Sequence, residues 1–343
     1  MRTIMEQSLQ VTRFGQVRIQ RQPELRLRPA RSRAIVRVEY ASVGITDAMA
    51  ARGDYLLRPV PGFTTGYDFV GIVESLPSSE GRRLRIGQRV TGILPAMGAH
   101  TTRLAVSPNL LVPIPDGLRA PDVATIPLDA VTASFALRLA EVASGGSVLI
   151  QGAGGSVGSW LVQLARLGGF HVYGTVSERS EQRASSLGAH CYNYADEAWK
   201  EQLLAGSNGG VDAAIDHTGD TTLPTVVRKN GTIVRTAFGG RHGRQRQATL
   251  RGSVSTLLRS QSKPREVMCS LPLSLRTRTQ YVRRHLEAVL AKVADGTLYS
   301  PVPELVKFSE APGCFARLSK LPAGRKLVLA MPDVPSLQAV PCS

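Results

Sequence analysis

Residues 152–158 read Gly152-Ala153-Gly154-Gly155-Ser156-Val157-Gly158, and this glycine loop decides the fold. It lies between an apolar run, Ser147 to Ile150, and a helical pattern that ends at Gly168-Gly169. A strand that turns sharply into a helix, with bare backbone open to a pyrophosphate, needs glycine here. The start of the helix offers unpaired N–H groups and partial positive charge to phosphates. The loop therefore predicts a dinucleotide site, with a loop that binds nothing as the alternative. The expected contacts are Gly152, Ala153, Gly155, Ser156, Val157 and Gly158.

Strand-like runs alternate with helix-length segments through the middle of the chain. The first helix is indicated by residues that recur at helical spacing, namely Val157, Trp160, Leu161, Leu164 and Ala165. The strand-like runs are Ser147 to Ile150, His171 to Val176, Ala189 to Tyr194, Val211 to Asp216 and Gly231 to Phe238. This alternation predicts right-handed crossovers and a parallel sheet with helices on both faces, the doubly wound α/β arrangement of a Rossmann domain.

The end of the second of these strands indicates which nicotinamide cofactor the loop would hold. A site that prefers NAD places an Asp or Glu there, about 20 residues past the glycines, to bind the ribose 2′-hydroxyl. Here small, neutral residues lead into Ser177, Glu178 and Arg179. Arg179 can pair with a 2′-phosphate, and Ser177 can donate a hydroxyl hydrogen bond. We therefore predict NADPH; the alternative is that Glu178 takes the acidic role, if the strand runs further.

Length and composition are those of a globular protein with two domains. The chain has 343 residues, of which 43% are hydrophobic and 5% aromatic, so we expect aliphatic cores. Met1 to Gln10 lack a secretory apolar region, and no run of about 18 apolar residues occurs, which predicts a cytoplasmic protein. Pro332 to Ser343 resembles a loose tail. The cysteines lack the spacing of a zinc or disulfide framework; they are Cys191, Cys269, Cys314 and Cys342.

Positive charge is concentrated in one stretch, which we call the basic segment. The formal net charge is +16, and the basic segment, Arg241 to Arg284, holds ten Arg and one Lys against a single acid, Glu266. A solvated surface is the ordinary explanation. The functional alternatives are attraction of NADPH, of an acidic carrier protein or coenzyme A thioester, or of nucleic acid. Aromatic residues are nearly absent from the segment, which disfavours base stacking.

The N-terminal part has a β-rich texture, with a strand-like alternation over Ala34 to Val43 and Pro- and Gly-rich turns up to Pro127. It carries a series of motifs, in order Ala41-Ser42-Val43-Gly44-Ile45-Thr46-Asp47, Arg52-Gly53-Asp54-Tyr55, Pro61-Gly62, Gly66-Tyr67-Asp68-Phe69-Val70-Gly71, Arg85-Ile86-Gly87-Gln88-Arg89-Val90 and Ala130-Val131-Thr132-Ala133. After the glycine loop come Lys307-Phe308-Ser309-Glu310-Ala311 and Gly324-Arg325-Lys326-Leu327-Val328. The series resembles the medium-chain dehydrogenase/reductase superfamily, and within it the zinc-free branch of zeta-crystallin-like quinone oxidoreductases and enoyl reductases. The resemblance runs from about Ile35 to Leu329.

The resemblance implies a Rossmann domain inserted into a GroES-like β-rich domain, so that the last strands return to the first domain. We expect residues 1–124 to form the first part of the GroES-like catalytic domain and residues 125–270 the Rossmann NADP-binding domain. Residues 271–343 would then return to the catalytic domain and end in the tail. A homodimer with paired edge strands is the usual arrangement in the family.

The resemblance also bears on metal binding. Zinc-using relatives carry a Cys where this chain has Gly44 and a His where it has Tyr67. A catalytic zinc needs three protein ligands, and Asp68 alone remains as a donor; the structural four-Cys lobe is missing as well. We predict no metal. Alcohol oxidation would then lack its Lewis acid, whereas reduction of an activated double bond does not need one.

Single residues receive roles from the same resemblance. Tyr55 matches a tyrosine that lines the substrate site and is a proposed proton donor in enoyl thioester reductases, with packing at a turn as the alternative. Tyr194 matches the tyrosine beside the adenosine 2′-phosphate, with a half-buried strand-end residue as the alternative. Nicotinamide-side contacts are implied for Thr132, Phe238, Gly239, Gly240, Arg325 and Lys326, although Thr132 could instead cap or pack a helix. An Asn and a second tyrosine of the family are replaced by Gly44 and Met49, which indicates a reshaped pocket.

These features predict an NADPH-dependent oxidoreductase that transfers hydride to a quinone, an enone or an enoyl thioester, free or bound to a carrier protein. Two alternatives stay open. One is a protein of the same fold that has lost catalysis and holds RNA or an acidic partner through the basic segment. The other is an enzyme that uses the cofactor as a scaffold for a cyclisation or another non-redox step.

Overall fold

The fold is built on two large β-sheets, one parallel and one mainly antiparallel. The structure, a computed structural model, describes residues 5–23, 32–77, 83–332 and 334. The strands are β1 Met5–Arg13, β2 Gln16–Pro23, β3 Ala34–Val43, β4 Phe63–Thr64, β5 Asp68–Ser75, β6 Arg89–Ile93, β7 Arg103–Val106, β8 Leu111–Pro113, β9 Ser147–Ile150, β10 His171–Val176, β11 His190–Asn193, β12 Val211–Asp216, β13 Val227–Arg235, β14 Arg265–Met268, β15 Val302–Lys307 and β16 Arg325–Ala330. The helices are α1 Ile45–Arg52, α2 Ala120–Val123, α3 Pro127–Ala140, α4 Ser156–Leu167, α5 Glu178–Ser186, α6 Trp199–Gly206, α7 Gln245–Leu258, α8 Leu271–Thr277 and α9 Thr279–Ala294, with 3-10 helices at Pro108–Leu110, Leu223–Thr225 and Phe308–Lys320.

The first sheet is parallel throughout, in the order β11-β10-β9-β12-β13-β14. Numbered from β9, this is the order 3-2-1-4-5-6 of a doubly wound Rossmann domain, as the sequence predicts. Strands β9, β10 and β12 have the predicted bounds, and most of their residues are buried, as in a parallel sheet covered on both faces. Strand β13 begins and ends earlier than the predicted Gly231 to Phe238, and β14 extends the sheet by one strand that the sequence pattern did not indicate.

The second sheet belongs to the GroES-like domain. Its order is β15-β16-β3-β5-β6-β8, with β7 also paired to β3, and a separate three-stranded sheet has the order β2-β1-β4. Strand β16 runs antiparallel to β3, with Leu329 opposite Ala41. The end of the chain therefore returns to the first domain, and the predicted fold class is confirmed. The predicted domain boundaries at residues 124 and 270 stay a prediction.

Helix α3 packs against α4 and α9 and so lies where the two domains meet. Its buried residues Ala130, Val131 and Ala133 join one core cluster with Ile150 of β9 and Val328 of β16. Since this cluster contains strands of both sheets, α3 fixes the glycine loop relative to the GroES-like domain.

Several features of the sequence lie partly outside the described residues. These are Met1 to Ile4, Cys342 and all of the tail from Pro332 to Ser343 except Pro332 and Val334. Cys191, Cys269 and Cys314 are free thiols. Among the helices that the structure describes, none combines the length and the apolar character required to cross a membrane.

Candidate functional site

The glycine loop turns directly from β9 into α4. Gly152 has a φ of +66°, a left-handed conformation, and a Cβ there would lie 2.6 Å from the ring of His217. At Gly158 a Cβ would lie 2.1 Å from the carbonyl oxygen of Gly152. Glycine is therefore required at both positions. Gly155 caps α4, so the unpaired N–H groups of the first helical turn face the loop. The geometry fits a pyrophosphate.

A cavity of about 270 Å³ opens beside this loop. Its lining includes seven of the predicted cofactor residues, namely Gly152, Gly155, Ser156, Ser177, Arg179, Tyr194 and Arg325. The opposite wall comes from the end of the 3-10 helix Phe308–Lys320 and the turn that follows, with Leu318, Leu321 and Pro322. Ala153, Val157 and Gly158 support the loop without lining the cavity. The structure thus joins the glycine loop and the predicted 2′-phosphate residues in one cleft.

Helix α5 positions the residues predicted to bind the 2′-phosphate. Strand β10 ends at Val176, Ser177 caps the helix, and Glu178 is its first residue. Ser177 and Ser180 share a hydrogen bond of 3.1 Å, and an Nη of Arg179 donates to the carbonyl of Ser319 at 3.3 Å. Glu178 is exposed and lies outside the lining of the cavity, whereas Arg179 is part of it. Arg179 is thus the charged side chain that α5 places at the cavity.

Tyr194 lies on the same side of the cleft. Its backbone N–H donates to the carbonyl of Val176 at 3.1 Å, which fixes the residue beside the end of β10. The side chain is 59% exposed. The ring is therefore available to a ligand and is not a half-buried residue of the sheet.

The residues implied for the nicotinamide side are held by their own contacts. Thr132 Oγ1 donates to the carbonyl of Leu128 at 2.6 Å within α3. The N–H of Gly239 donates to the carbonyl of Thr218 at 2.7 Å, and the ring of Phe238 lies against Gly252 of α7. These three residues lie outside the lining of the cavity. Their contact with a cofactor stays a prediction.

Lys326 is buried in an ionic network. It is 4% exposed, and its ammonium pairs with the carboxylate of Asp129. Asp68 is nearby: its carboxylate accepts hydrogen bonds from Ser42 Oγ at 2.6 Å and from the N–H of Leu128 at 2.9 Å.

Burial and charge act in opposite directions on this network. Burial would lower the pKa of Lys326, but the attraction of Asp129 and Asp68 outweighs it, and the pKa is raised. Burial raises the pKa of Asp68 to about 6 despite the nearby ammonium. Lys326 therefore carries a positive charge that holds α3 against β16. Its predicted contact with the cofactor also stays a prediction.

Tyr55 and Tyr67 form a hydroxyl pair. Tyr55 Oη lies 2.9 Å from Tyr67 Oη. Tyr67, where zinc-using relatives carry His, is 3% exposed, and Tyr55 is partly exposed. The pKa of each phenol is raised, chiefly by burial. Both hydroxyls are therefore protonated at neutral pH. Tyr55 is the more exposed of the two, although it lies outside the lining of the cavity.

The donor set around Asp68 does not fit zinc. Gly44 has no side chain, and Tyr67 is engaged with Tyr55. Over residues 5–23, 32–77, 83–332 and 334, no group of three or more His, Cys, Asp or Glu side chains could hold a metal ion.

The basic segment contains an exposed apolar stripe. Its one acid, Glu266, is buried and paired with Arg235 at 3.1 Å and Arg259 at 3.2 Å. Helix α7 turns small and polar residues towards β14, and its outward face carries the apolar stripe Leu250, Val254, Leu257 and Leu258. Leu257 and Leu258 are 73% and 79% exposed. The outward surface therefore combines positive charge with unburied leucine.

Comparison with known proteins agrees with this geometry. The family described as "Alcohol dehydrogenase GroES-like domain" matches residues 30–116, and the family described as "Zinc-binding dehydrogenase" matches residues 156–263. Together they cover more than half of the chain, in the order expected for an inserted domain.

The chain belongs to the medium-chain dehydrogenase/reductase superfamily. The proteins to which it is similar include a trans-enoyl reductase by sequence and, by fold, an enoyl reductase and a quinone oxidoreductase. A trans-enoyl reductase of Penicillium crustosum is 29% identical over 225 residues, which are 59% of this chain and 60% of that protein. A mycocerosic acid synthase-like polyketide synthase of Mycolicibacterium smegmatis is 28% identical over 89% of this chain and 14% of its own length. The chain thus spans less than two thirds of these relatives.

A solved structure shares the fold of this superfamily member almost completely. The apo form of the JamJ enoyl reductase superposes with a TM-score of 0.81, covering 96% of this chain and all of that one, at 20% identity.

Sequence reasoning missed two residues of this reductase-like site. His217 follows β12 at the carboxyl edge of the sheet, against Gly152, and lines the cavity. Its place after a central strand was a usable signal, because ligands of such sheets bind at that edge. For Tyr67 the sequence indicates only the replacement of a His, and no sequence signal shows that its hydroxyl meets that of Tyr55.

Proposed function

We propose that the protein is a zinc-independent reductase that uses NADPH to reduce an activated carbon–carbon double bond. The observation that supports this proposal most is that the glycine loop, Arg179 and Tyr194 line one cleft. Backbone N–H groups at a helix start and a guanidinium group are suited to a dinucleotide with a 2′-phosphate. Glu178, the residue that could have favoured NAD, lies outside the cleft.

Each part of the cleft would hold one part of the cofactor. The N-terminus of α4 and the glycine loop would bind the pyrophosphate. Arg179 and Ser177 would bind the 2′-phosphate with Tyr194 beside it. When bound, NADPH supplies a hydride from C4 of its nicotinamide. Lys326 and Asp129 hold α3, and with it Thr132, at the boundary of the two domains.

A side chain of the protein would supply the proton. Tyr55, protonated at neutral pH and partly exposed, is the candidate donor to the carbon that becomes negative after hydride addition. Its surroundings are apolar, since Phe63, Met97 and Phe14 belong to the same cluster. Apolar surroundings of this kind suit a quinone, an enone or an enoyl thioester.

An enoyl thioester is the substrate class that we favour among these. The relatives named above include a trans-enoyl reductase and a polyketide synthase, and the basic segment could attract the acidic protein that carries such a thioester. We also infer a homodimer. The apolar stripe of α7 lies beside the free edge of β14, where a second copy could extend the sheet.

Calorimetric titration with NADPH and NADH, with Arg179→Ala as the variant, tests the cofactor assignment. We expect micromolar NADPH binding, much weaker NADH binding, and loss of about 1.5–3 kcal/mol of that preference in Arg179→Ala. Arg166→Ala on α4 is a control outside the cavity. Absorbance assays with quinones, enones and enoyl thioesters then test the reaction. Binding of NADPH without its consumption by any of these would contradict the proposed reduction.

A further inference from the structure

The hydrogen bond between Tyr55 and Tyr67 has a direction that burial determines. Within the part of the chain that the structure describes, the Tyr67 hydroxyl has Tyr55 as its single hydrogen-bond partner. If Tyr55 donated the proton, the buried O–H of Tyr67 would have no acceptor, at a cost of about 1–3 kcal/mol. If Tyr67 donates, both oxygens are satisfied and the O–H of Tyr55 points elsewhere. Tyr67 is therefore the donor and Tyr55 Oη the acceptor.

The charges around the pair reinforce the difference between the two phenols. Burial raises the pKa of Tyr67 strongly, and Asp47 adds to this rise while Arg58 opposes it. Burial also raises the pKa of Tyr55, with the same effects of Asp47 and Arg58, but the hydrogen bond with Tyr67 lowers it. Tyr67 thus keeps its proton under conditions in which Tyr55 can lose one.

We propose that Tyr67 is a positioning residue that orients the hydroxyl of Tyr55 and stabilises the phenolate left when Tyr55 gives its proton away. The inference rests on the proposed reduction. Hydride adds to the β-carbon of the substrate, and the electron pair of the double bond moves towards the carbonyl as an enolate. The O–H bond of Tyr55 then breaks as the proton passes to the α-carbon. The phenolate accepts the hydrogen bond of Tyr67 until water returns the proton.

Tyr67 stands at the sequence position of a zinc ligand in zinc-using relatives. Tyr67 occupies the place where zinc-using relatives carry His, directly before Asp68 at the start of β5. A metal there would act on the substrate oxygen as a Lewis acid. In this chain the same place holds a neutral hydrogen-bond donor, which acts on the substrate through Tyr55.

A spectroscopic titration tests the inference without any substrate. Near-ultraviolet absorbance reports phenolate formation, and the difference between the wild type and Tyr55→Phe isolates Tyr55. The difference in absorbance between Tyr67→Phe and the double variant Tyr55→Phe/Tyr67→Phe gives the titration of Tyr55 in the absence of the Tyr67 hydroxyl. We expect the Tyr55 midpoint to rise by about one pH unit when Tyr67 is replaced. Tyr299→Phe, at a tyrosine 63% exposed, is the control, and circular dichroism limits the pH range to folded protein. An unchanged midpoint would overturn the inference.

Kinetics provide the second readout. Tyr67→Phe should lower kcat about tenfold with little change in KM, and should have no further effect in a Tyr55→Phe background, because Tyr67 acts through Tyr55. Additive losses would show a merely structural role and overturn the inference. A wild type that consumes no NADPH contradicts the proposed function instead, and the titration still decides whether Tyr67 controls Tyr55.

Discussion

Lys326, the second residue of β16, forms an ion pair with Asp129 in the first turn of α3. The two residues are almost 200 positions apart in the chain, and both are buried. Asp68 completes the network. This contact joins the returning strand of the GroES-like domain to the helix that packs on the glycine loop.

Loss of the buried cation should destabilise the protein strongly. Lys326→Met leaves the carboxylates of Asp129 and Asp68 without their compensating charge, and we expect the free energy of unfolding to fall by about 3–5 kcal/mol. Lys307→Met removes an exposed lysine from the neighbouring strand and should cost less than about 0.5 kcal/mol. Urea unfolding of both variants measures the difference, and equal values would mean that the buried pair contributes little.

Stability should depend on pH through Asp68. Its pKa rises to about 6 on folding, so the folded protein keeps a proton that the unfolded chain loses near pH 4. The stabilisation that comes from this difference in pKa is complete below about pH 4. It is lost as the pH rises to about 6, and the free energy of unfolding falls by about 3 kcal/mol in total. Asp68→Asn should remove this part of the pH dependence. Urea unfolding from pH 4 to 7 is the measurement; parallel curves for variant and wild type would contradict the assignment.

A methyl group at Gly158 should weaken cofactor binding. The added Cβ would overlap the carbonyl of Gly152, so the loop must shift away from the position that suits a pyrophosphate. We expect Gly158→Ala to weaken NADPH binding at least tenfold and to cost about 1–3 kcal/mol of stability. Gly313→Ala, where a Cβ meets nothing within 4 Å, is the control. Calorimetric titration with NADPH measures binding, and circular dichroism checks that both variants are folded. Equal NADPH affinity of the two variants would contradict the assigned role of the loop.

The outward leucines of α7 should control association. Leu258→Asp places a charge on the most exposed residue of the stripe, and we expect light scattering to show monomers where the wild type forms dimers. Ile86→Asp changes an apolar residue that is 69% exposed on the GroES-like domain and should leave the dimer intact. A wild type that is already monomeric would contradict the inferred assembly.

A carrier protein docked on the basic segment should make turnover sensitive to salt. Arg276 and Arg284 are exposed and lie outside α7, and their replacement by Gln should raise KM for a carrier-bound thioester but not for the free thioester. The effect should shrink as salt rises, because exposed charges are screened. Equal turnover of free and carrier-bound substrate at every salt concentration would exclude this docking.

The sequence predicted those parts of the fold that depend on local pattern. Strands β9, β10 and β12 are short, mainly apolar runs between helix-length segments, and α4 is flanked by Gly155 and Gly168, so their bounds could be read directly. Strand β14 could not be, because Arg265 and Glu266 look like surface residues. Glu266 is buried only because Arg235 and Arg259 neutralise it, and that pairing needs the folded sheet.

The candidate site divides in the same way. The glycine loop, Ser177 and Arg179 follow each other closely in sequence, so their meeting in one cleft was predictable. The wall from Leu318 to Pro322 and the partner of Tyr55 come from distant parts of the chain. The sequence around Lys326 does not show that this lysine is buried, because its ion-pair partner Asp129 is distant in the chain.

The position of β16 has a consequence for biosynthesis. A ribosome makes the chain from its N-terminus, and the Rossmann sheet, which ends with β14, has left the exit tunnel before Arg325–Ala330 is translated. The GroES-like sheet cannot be completed before β16 is translated, because β16 lies between β3 and β15. We therefore expect the inserted domain to fold first during translation, while the older half of the chain keeps an open sheet edge. A chaperone that shields that edge would act on the nascent protein from the emergence of β3 until the last strand arrives.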